Sequence, residues 1–327
     1  MKPIPASELK TILHSKRAHI YYLEHCRVLV KGGRVEYVTQ QGKQSAYWNI
    51  PIANTTSVLL GTGTSITQLA MRKLAQAGVL VGFCGGGGTP LFSALEVDID
   101  VAWMQPQSEY RATQYLQQWA GFWFKPGGRL HAAKLLQNAR LDLLDKSWRS
   151  RSMASAFPVD LARLSTLIVD SRKRISGASE IDALLQEEAR LTKSLYQMAC
   201  QALKLSDFTR AKRGEGTDSA NAFLDHGNYL AYGLGATTAW VLGLPHGLAV
   251  LHGKTRRGAL VFDLADLIKD AMVLPQAFIS AQKGDSEQEF RSALITRFTN
   301  AEALDFMIET TQRIAEETSA AMAEVLA

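Results

Sequence analysis

The chain carries two kinds of hydrophobic pattern, one in each part. Up to about residue 104, short runs of β-branched and aromatic residues are separated by turn residues. In RVLVKGGRVEYVT at 27–39, for example, two such runs flank a Gly-Gly pair. SITQLAMRKLAQAG at 65–78 differs, because its apolar residues are three and four positions apart and it ends in glycine. We therefore expect a mostly β domain over residues 1–104 that contains one short helix.

After Pro106 the apolar residues follow helical spacing almost to the C terminus. Segments 113–124, 130–148, 181–205, 226–243, 261–272 and 302–326 all carry apolar residues at i, i+3 and i+4. This predicts an all-α domain over residues 105–327, joined to the first domain near WMQPQSEY at 103–110. The expected fold class is multidomain α+β, with a small N-terminal mostly-β domain followed by a larger all-α C-terminal domain.

The composition is typical of a globular protein with a sizeable core, since 46% of the 327 residues are hydrophobic and 20% are charged. We find neither a signal-type apolar segment at the start nor a run of apolar residues long enough for a membrane helix. These features predict a cytoplasmic protein without membrane contact. Cys26, Cys84 and Cys200 are far apart, which argues against a disulfide framework or a zinc knuckle and favours packing roles.

Two glycine-rich stretches invite comparison with phosphate-binding loops. Neither GTGTS at 61–65 nor the glycine run at 85–88 is followed by the Gly-Lys-Ser/Thr triplet of a Walker loop. GTGTSI also lacks the last glycine of a dinucleotide-binding fingerprint. Tight turns at sheet edges are the better interpretation.

One carboxylate falls on an apolar helix face. Leu184, Glu188, Leu191 and Leu195 follow one another at four- and three-residue steps, which places Glu188 within the apolar face, whereas Glu187 falls outside it. A buried carboxylate is costly unless a cation or good hydrogen-bond donors meet it. Either an internal arginine or lysine or a bound ligand could compensate Glu188, and the sequence leaves both open.

The segment HGKTRRGALVFDLAD at 252–266 joins a histidine to a predicted acidic helix. Asp263, Asp266 and Asp270 are spaced i, i+3, i+7 and share one strip of that helix, either as an exposed acidic edge or as ligands of a divalent cation. His252 alone would be interpreted as a core histidine. Together with Glu188, however, these residues form an oxygen and nitrogen set suited to Mg²⁺ or Mn²⁺ rather than to structural zinc.

The positive charge is unevenly distributed. The net charge is +5, and residues 301–327 hold six acidic residues and one arginine, so the remainder of the chain carries +10. Two basic clusters could hold phosphate groups, although solvated surface residues are the simpler interpretation of either cluster alone. The clusters are Arg210, Lys212 and Arg213, and Lys254, Arg256 and Arg257.

Three motif blocks carry a resemblance to a known family. They are Glu188-Ala189 with Lys193 and Tyr196, then DHGNYLAYGL at 225–234, then GLPHGLAVLHGKTRRGALVFDLAD at 243–266. In this order they resemble the CRISPR-associated integrase and endonuclease of the spacer-acquisition complex, most closely its type I-F form, over essentially the whole chain. Many members have Glu-Gly at the first motif and Glu as the final acid, where this chain has Ala189 and Asp266.

The resemblance implies a site and a reaction. It implies that Glu188, His252 and Asp266 bind Mg²⁺ or Mn²⁺, and that Asp263, one helical turn before the final acid, assists catalysis. It further implies a DNA endonuclease and integrase that inserts captured foreign DNA as new spacers into a CRISPR array, by attack of a 3′-hydroxyl on repeat phosphodiesters. The basic clusters would contact the DNA backbone.

The resemblance also implies partners. These are double-stranded and branched DNA, a second copy of the chain that pairs through the β-rich domain, and a small second acquisition protein fused to the CRISPR helicase-nuclease.

Two other functions remain open on the residues alone. Asp263 and Asp266 could bind a diphosphate, as in isoprenoid synthases, although a convincing second aspartate motif is missing. The chain could also be a DNA-binding scaffold without activity, in which Glu188 forms a structural ion pair. Tyr196 and Tyr229 lack the arginines and histidine of a tyrosine recombinase at comparable spacing and are interpreted as packing or DNA-lining residues.

Overall fold

The structure is a computed structural model that describes residues 19–41, 44–84, 102–104, 113–205, 208–211, 218–252 and 258–324. The chain divides into two compact units, Met1–Arg111 and Ala112–Ala327. The first unit is built mainly of strands and the second of helices, which confirms the expected fold class. The domain boundary expected between residues 104 and 105 stays a prediction, because residues 105–112 lie outside the described part of the chain.

The described part of the first unit contains two four-stranded sheets. One sheet has the order β1-β5-β7-β8, in which β8 alone is antiparallel to its neighbour, and the other has the order β4-β3-β2-β6. The Gly-Gly pair at 32–33 turns β2 into β3 with positive φ at both residues, as the sequence predicts. The strands are β1 His19–Leu23, β2 Arg27–Lys31, β3 Arg34–Gln41, β4 Gln44–Asn49, β5 Thr55–Leu60, β6 Ser65–Ile66, β7 Leu80–Phe83 and β8 Ala102–Met104.

One helix packs against these sheets. The helix α1, Gln68–Gln76, begins after Thr67, whose side chain accepts a hydrogen bond from the Ala70 N–H. Its buried residues Ala70 and Leu74 join Val28, Val58 and other strand residues in a single apolar core. The expected short helix is therefore present, and it is shorter than the predicted segment because Ser65 and Ile66 pair with β2 instead.

The second unit is a helical bundle. Each of the six segments with helical spacing contains a helix, and α4, α5, α9 and α10 lie in stretches that the spacing did not single out. Among the described residues no helix is both long enough and apolar enough to cross a membrane. The helices are α2 Gln114–Trp123, α3 Pro126–Trp148, α4 Arg151–Ala154, α5 Leu161–Gly177, α6 Ile181–Leu203, α7 Ser219–Val241, α8 Ala259–Ile268, α9 Leu274–Lys283, α10 Glu287–Asn300 and α11 Ala303–Glu324.

The acidic helix α8 lies at the centre of this bundle, and every one of its residues is buried. A π-helical turn, Lys269–Val273, joins it directly to α9. On one side α8 packs closely against α7, because a Cβ atom added to Gly235 would lie 2.7 Å from the Val261 carbonyl oxygen. The lack of a side chain at Gly235 is what allows this close approach.

Candidate metal centre

Three side chains from separate segments converge on one point of the helical unit. Glu188 lies on α6, Asp266 lies on α8, and His252 ends the segment that follows α7. Each offers one potential ligand atom, and these atoms lie within 4.8 Å of one another. The three residues are those on which the sequence predicted a metal site. The geometry therefore allows them to share one cation.

Two carboxylate oxygens at this point lack ordinary partners. Glu188 Oε2 and Asp266 Oδ2 are buried, and neither has a hydrogen-bond partner among the described residues. Buried carboxylate oxygens are normally hydrogen-bonded, because leaving one unsatisfied forfeits its hydration. These two oxygens are the features of the site that fit a metal ion.

Two cations flank the carboxylates, the buried Arg140 and the half-buried Lys269. Arg140 Nη1 lies 3.7 Å from Glu188 Oε1, and Lys269 Nζ lies 2.5 Å from Asp266 Oδ1. Burial and the Asp266 charge raise the pKa of Glu188. Burial also acts to raise the pKa of Asp266, but Lys269, His252 and Arg140 outweigh it and hold that pKa below its usual range. Each carboxylate therefore has one oxygen near Arg140 or Lys269 and one oxygen without a hydrogen bond among the described residues, and the second oxygen of Asp266 lies 3.7 Å from His252 Nδ1.

Asp263 contacts the histidine, and both of its own carboxylate oxygens are hydrogen-bonded. Its Oδ1 lies 2.8 Å from His252 Nδ1 and accepts the His252 backbone N–H at 2.9 Å. Its Oδ2 accepts the backbone N–H groups of Val250 and Leu251 at 2.6 and 3.0 Å. With both oxygens occupied, Asp263 orients the imidazole and the chain that carries it.

Side chains of other helices bind the backbone carbonyl groups of residues 248–250, which precede His252. Trp119 Nε1 donates to the Leu248 carbonyl at 2.8 Å and Trp123 Nε1 donates to the Ala249 carbonyl at 2.6 Å. Arg129 Nε donates to the Val250 carbonyl at 3.1 Å. Side chains of α2 and α3 therefore fix the approach to His252, although they lie far from it in the sequence.

The charge environment of His252 favours its protonated form in the absence of a metal. Burial by itself would lower its pKa, but the Asp263 hydrogen bond and the Asp266 and Glu188 charges raise the pKa to about 9. A metal ion at this site would therefore displace a proton from the ring at neutral pH.

Asp270, the third aspartate of the predicted strip, has a different partner. Arg140 donates to Asp270 Oδ2 from Nε at 2.8 Å and from Nη2 at 2.5 Å, and it also contacts Gln137 and Thr192. Arg140 is almost fully buried, and Asp270 is the strongest of the neighbouring charges that raise its pKa. Sequence spacing gave no signal for Arg140, because the contact depends on α3 crossing the π-helical turn.

Two expectations about exposure require correction. The alternative that the aspartate strip forms an exposed acidic edge is wrong, because Asp263, Asp266 and Asp270 are all buried. The expectation that Glu187 lies off the apolar face of α6 is also wrong, since Glu187 is only 6% exposed. Glu187 is satisfied by Arg190 and by Ser171 on α5, so it forms a structural ion pair where α6 packs against α5.

The basic clusters are only partly described. Arg210 donates to Asn221 at 2.7 Å and to Asp225, so its guanidinium is paired within the protein. With Tyr196, Thr192 and Asn228 it lines a cavity of about 210 Å³ that opens beside Glu188 and Asp266. The other members of the two clusters lie outside the described residues, and their contact with DNA stays a prediction. They are Lys212, Arg213, Lys254, Arg256 and Arg257.

The sequence matches the family model for CRISPR associated protein Cas1 over residues 20–296. The chain belongs to the Cas1 family. The CRISPR-associated endonuclease Cas1 of Pseudomonas aeruginosa strain UCBPP-PA14 is 63% identical, over 98% of this chain and 99% of its own length. That of Pectobacterium atrosepticum strain SCRI 1043 is 59% identical, over 96% and 97%. The resemblance seen in the three motif blocks is therefore confirmed.

Solved structures share the Cas1 fold at low sequence identity. A TtCas1–DNA complex superposes with a TM-score of 0.64 at 22% identity, over 90% of this chain and 91% of that one. A casposase bound to integration product gives 0.67 at 13% identity, over 91% of each chain. A partial Cas6-RT-Cas1–Cas2 complex gives 0.58 at 13% identity, over 92% and 95%.

Proposed function

We propose that this Cas1 protein is a divalent-metal-dependent DNA endonuclease and integrase. It inserts captured foreign DNA fragments as new spacers into a CRISPR array, by attack of a 3′-hydroxyl on repeat phosphodiesters. The observation that carries the proposal is the convergence of Glu188, His252 and Asp266, in which one oxygen of each carboxylate is buried without a hydrogen bond among the described residues.

The donor set fits Mg²⁺ or Mn²⁺. Glu188 Oε2 and Asp266 Oδ2 supply hard oxygen atoms, and the set contains no thiolate. His252 would bind through Nε2, because Asp263 occupies Nδ1. The metal, when bound, would stabilise the negative charge that develops on the phosphodiester oxygens during attack and departure.

The surrounding residues hold and balance this site. Asp263 keeps the imidazole in one orientation, while Lys269 and Arg140 keep one oxygen of each metal-facing carboxylate directed away from the free pair. Hydrolysis and strand transfer would use the same residues, since the two reactions differ only in whether water or a 3′-hydroxyl attacks. No covalent nucleophile on the protein is required for either.

The proposed substrates and partners follow from the family. The TtCas1 solved with DNA and the casposase solved with an integration product support DNA as the substrate, and we propose that it is double-stranded and branched DNA. The relative solved in a Cas1–Cas2 complex supports a small second acquisition protein as partner, which we expect to be fused to the CRISPR helicase-nuclease. We also propose a homodimer that pairs through the β-rich unit, and DNA-backbone contacts from the basic clusters.

A strand-transfer assay on branched DNA tests this function. We expect nicking and integration to require Mg²⁺ or Mn²⁺ and to be lost in Glu188→Ala, while the variant still binds DNA. Glu187→Ala is the matched control, because both oxygens of the Glu187 carboxylate are engaged by Ser171 and Arg190. Activity that survives in Glu188→Ala, or that persists in a chelator, would refute the proposed site.

A further inference from the structure

A second cavity lies in the helical unit, apart from the metal centre. It has a volume of about 510 Å³ and is bounded by residues of α3, α10 and the π-helical turn with α9. Met272 and Gln276 line this cavity, whereas Asp270, Val273 and Leu274 line the cavity beside the metal centre. The two cavities therefore open on different faces of the same turn.

Arg297 on α10 is a largely buried cation in the wall of this cavity. Its Nε and Nη2 donate to Gln276 Oε1 at 3.2 and 2.9 Å, and its Nη1 contacts the Met153 sulfur. Both partners are neutral. Burial lowers the pKa of Arg297, and no acidic neighbour among the described residues offsets this effect. A guanidinium in such a setting normally has an anionic partner, because neutral partners leave its charge uncompensated.

The orientation of Arg297 is fixed by a second interaction. Gln276 Nε2 donates to Ser280 Oγ at 3.0 Å, which directs the Gln276 carbonyl oxygen to the guanidinium. Gln276 is itself buried, and it holds the Arg297 guanidinium in place. Because Gln276 is neutral, it does not compensate the positive charge of Arg297. Two or more N–H groups of Arg297 remain for a ligand, since a guanidinium has five.

The remaining lining determines what kind of anion the cavity suits. Lys146 supplies a second positive charge, and Ser150, Ser152, Thr296 and Asn300 supply hydroxyl and amide groups. Four apolar residues complete the wall and offer surface to a flat ring: Leu143, Met272, Ala293 and Ala301. One carboxylate, Glu302, is also present and can accept hydrogen bonds from the hydroxyl or amino groups of a ligand.

We propose that this cavity binds a nucleotide, with the phosphate group on Arg297 and Lys146. Arginine and lysine bind phosphate through charge-assisted hydrogen bonds. The volume is far larger than a phosphate ion needs and is in the range of small-molecule sites. The same chemistry could come from a free nucleotide or from a nucleotide at the end of a DNA strand. The proposal is independent of the metal centre, because none of its ligands lines this cavity.

Isothermal titration calorimetry on the full chain tests the site with three probes: inorganic phosphate, adenosine monophosphate and a 5′-phosphorylated trinucleotide of DNA. We expect Arg297→Gln to weaken nucleotide binding at least about tenfold and Lys146→Gln to weaken it severalfold. Arg313→Gln, which changes an exposed arginine outside the cavity, should bind as the unaltered protein does.

The outcomes separate the sources of the ligand. Tight binding of adenosine monophosphate indicates a free nucleotide, and binding of the trinucleotide alone indicates a DNA end. The proposal is overturned if no probe binds at millimolar concentration, if inorganic phosphate binds as tightly as the nucleotide, or if both cavity variants bind as the unaltered protein does. Arg297→Gln should fold, because it removes an uncompensated charge. If it does not, Lys146→Gln on the cavity rim decides the result.

Discussion

Asp263 accepts hydrogen bonds from both the ring Nδ1 and the backbone N–H of His252, at 2.8 and 2.9 Å. Its other oxygen accepts the two preceding N–H groups, so one carboxylate orders three consecutive residues. The buried Asp263 therefore occupies Nδ1 of the imidazole. The other ring nitrogen, Nε2, stays available for a ligand. We therefore propose that Asp263 is a positioning residue, which would act on the proposed metal site through His252.

Replacing Asp263 with Asn should weaken metal binding. Each oxygen of Asp263 accepts hydrogen bonds from N–H groups, and the amide nitrogen of Asn cannot accept them. The imidazole would therefore lose the contacts that fix its orientation. We expect Mn²⁺ affinity to fall about 10–100-fold, the usual effect of removing such a supporting carboxylate. Calorimetric titration of the folded variant measures this change, and an unaltered affinity would contradict the positioning role.

Metal binding should strengthen as the pH rises. The pKa of His252 is raised to about 9, so at lower pH a proton competes with the metal for the ring. We expect Mg²⁺ affinity to increase about tenfold per pH unit between pH 7 and 8.5, with the release of one proton. Titrations in buffers of different ionisation enthalpy measure the released proton, and His252→Asn should lose this pH dependence.

Without metal, the same histidine gives the opposite trend in stability. Its pKa in the folded state lies above the ordinary value of about 6.5, so the protonated ring stabilises the fold fully below that pH. This contribution is lost as the pH rises toward 9. Denaturant unfolding in a chelator should show a decline in the free energy of unfolding over this window, which should be smaller in His252→Asn.

Adjacent glutamates on α6 should give separable phenotypes. Glu188→Gln should reduce metal affinity at least about 100-fold, because it removes a ligand rather than an outer contact. The metal-free variant should be as stable as the unaltered protein or more so, since a buried charge is removed. Glu187→Gln should keep its metal affinity and lose about 1–3 kcal/mol of stability with its Arg190 and Ser171 contacts. The reverse result would move the ligand to Glu187.

The buried pair of Arg140 and Asp270 should be strongly coupled. Asp270→Asn leaves a buried guanidinium without its main partner, which costs about 3–5 kcal/mol in comparable cases. The double variant Arg140→Met, Asp270→Asn should be less destabilised than Asp270→Asn alone. A double-mutant cycle by urea unfolding measures the coupling, and additive effects would show that the two residues do not depend on each other.

The close approach of α7 to α8 should tolerate no side chain. Gly235→Ala would place a Cβ atom 2.7 Å from the Val261 carbonyl oxygen, so α8 must move. We expect a loss of about 1–3 kcal/mol in stability, together with weaker metal binding because Asp263 and Asp266 move with the helix. Gly121→Ala on α2 is the control, since no atom lies within 4 Å of its added Cβ, and it should be neutral or slightly stabilising.

The periodicity of apolar residues was sufficient for most elements. Alternation and the Gly-Gly turn predicted the strands of the first unit, and helical spacing predicted six helical segments of the second. Helix α5 was missed, although its buried Leu164, Ile168, Ser171 and Ile175 also follow helical spacing. The spacing of Asp263 and Asp266 left an exposed acidic edge as one alternative, although both residues are buried. Spacing shows which residues share a strip but not what the strip faces.

By itself, the sequence determined the two-part architecture, the family and the residue types of the proposed metal site, because each of these depends on local spacing and motif order. Only the tertiary structure decided that Arg140 pairs with Asp270, that Glu187 is satisfied by α5, and that Arg297 lacks an acidic partner among the described residues. These facts depend on which helices cross and how closely, and long-range packing sets the charge balance of a buried group. Local spacing carries no information about that balance.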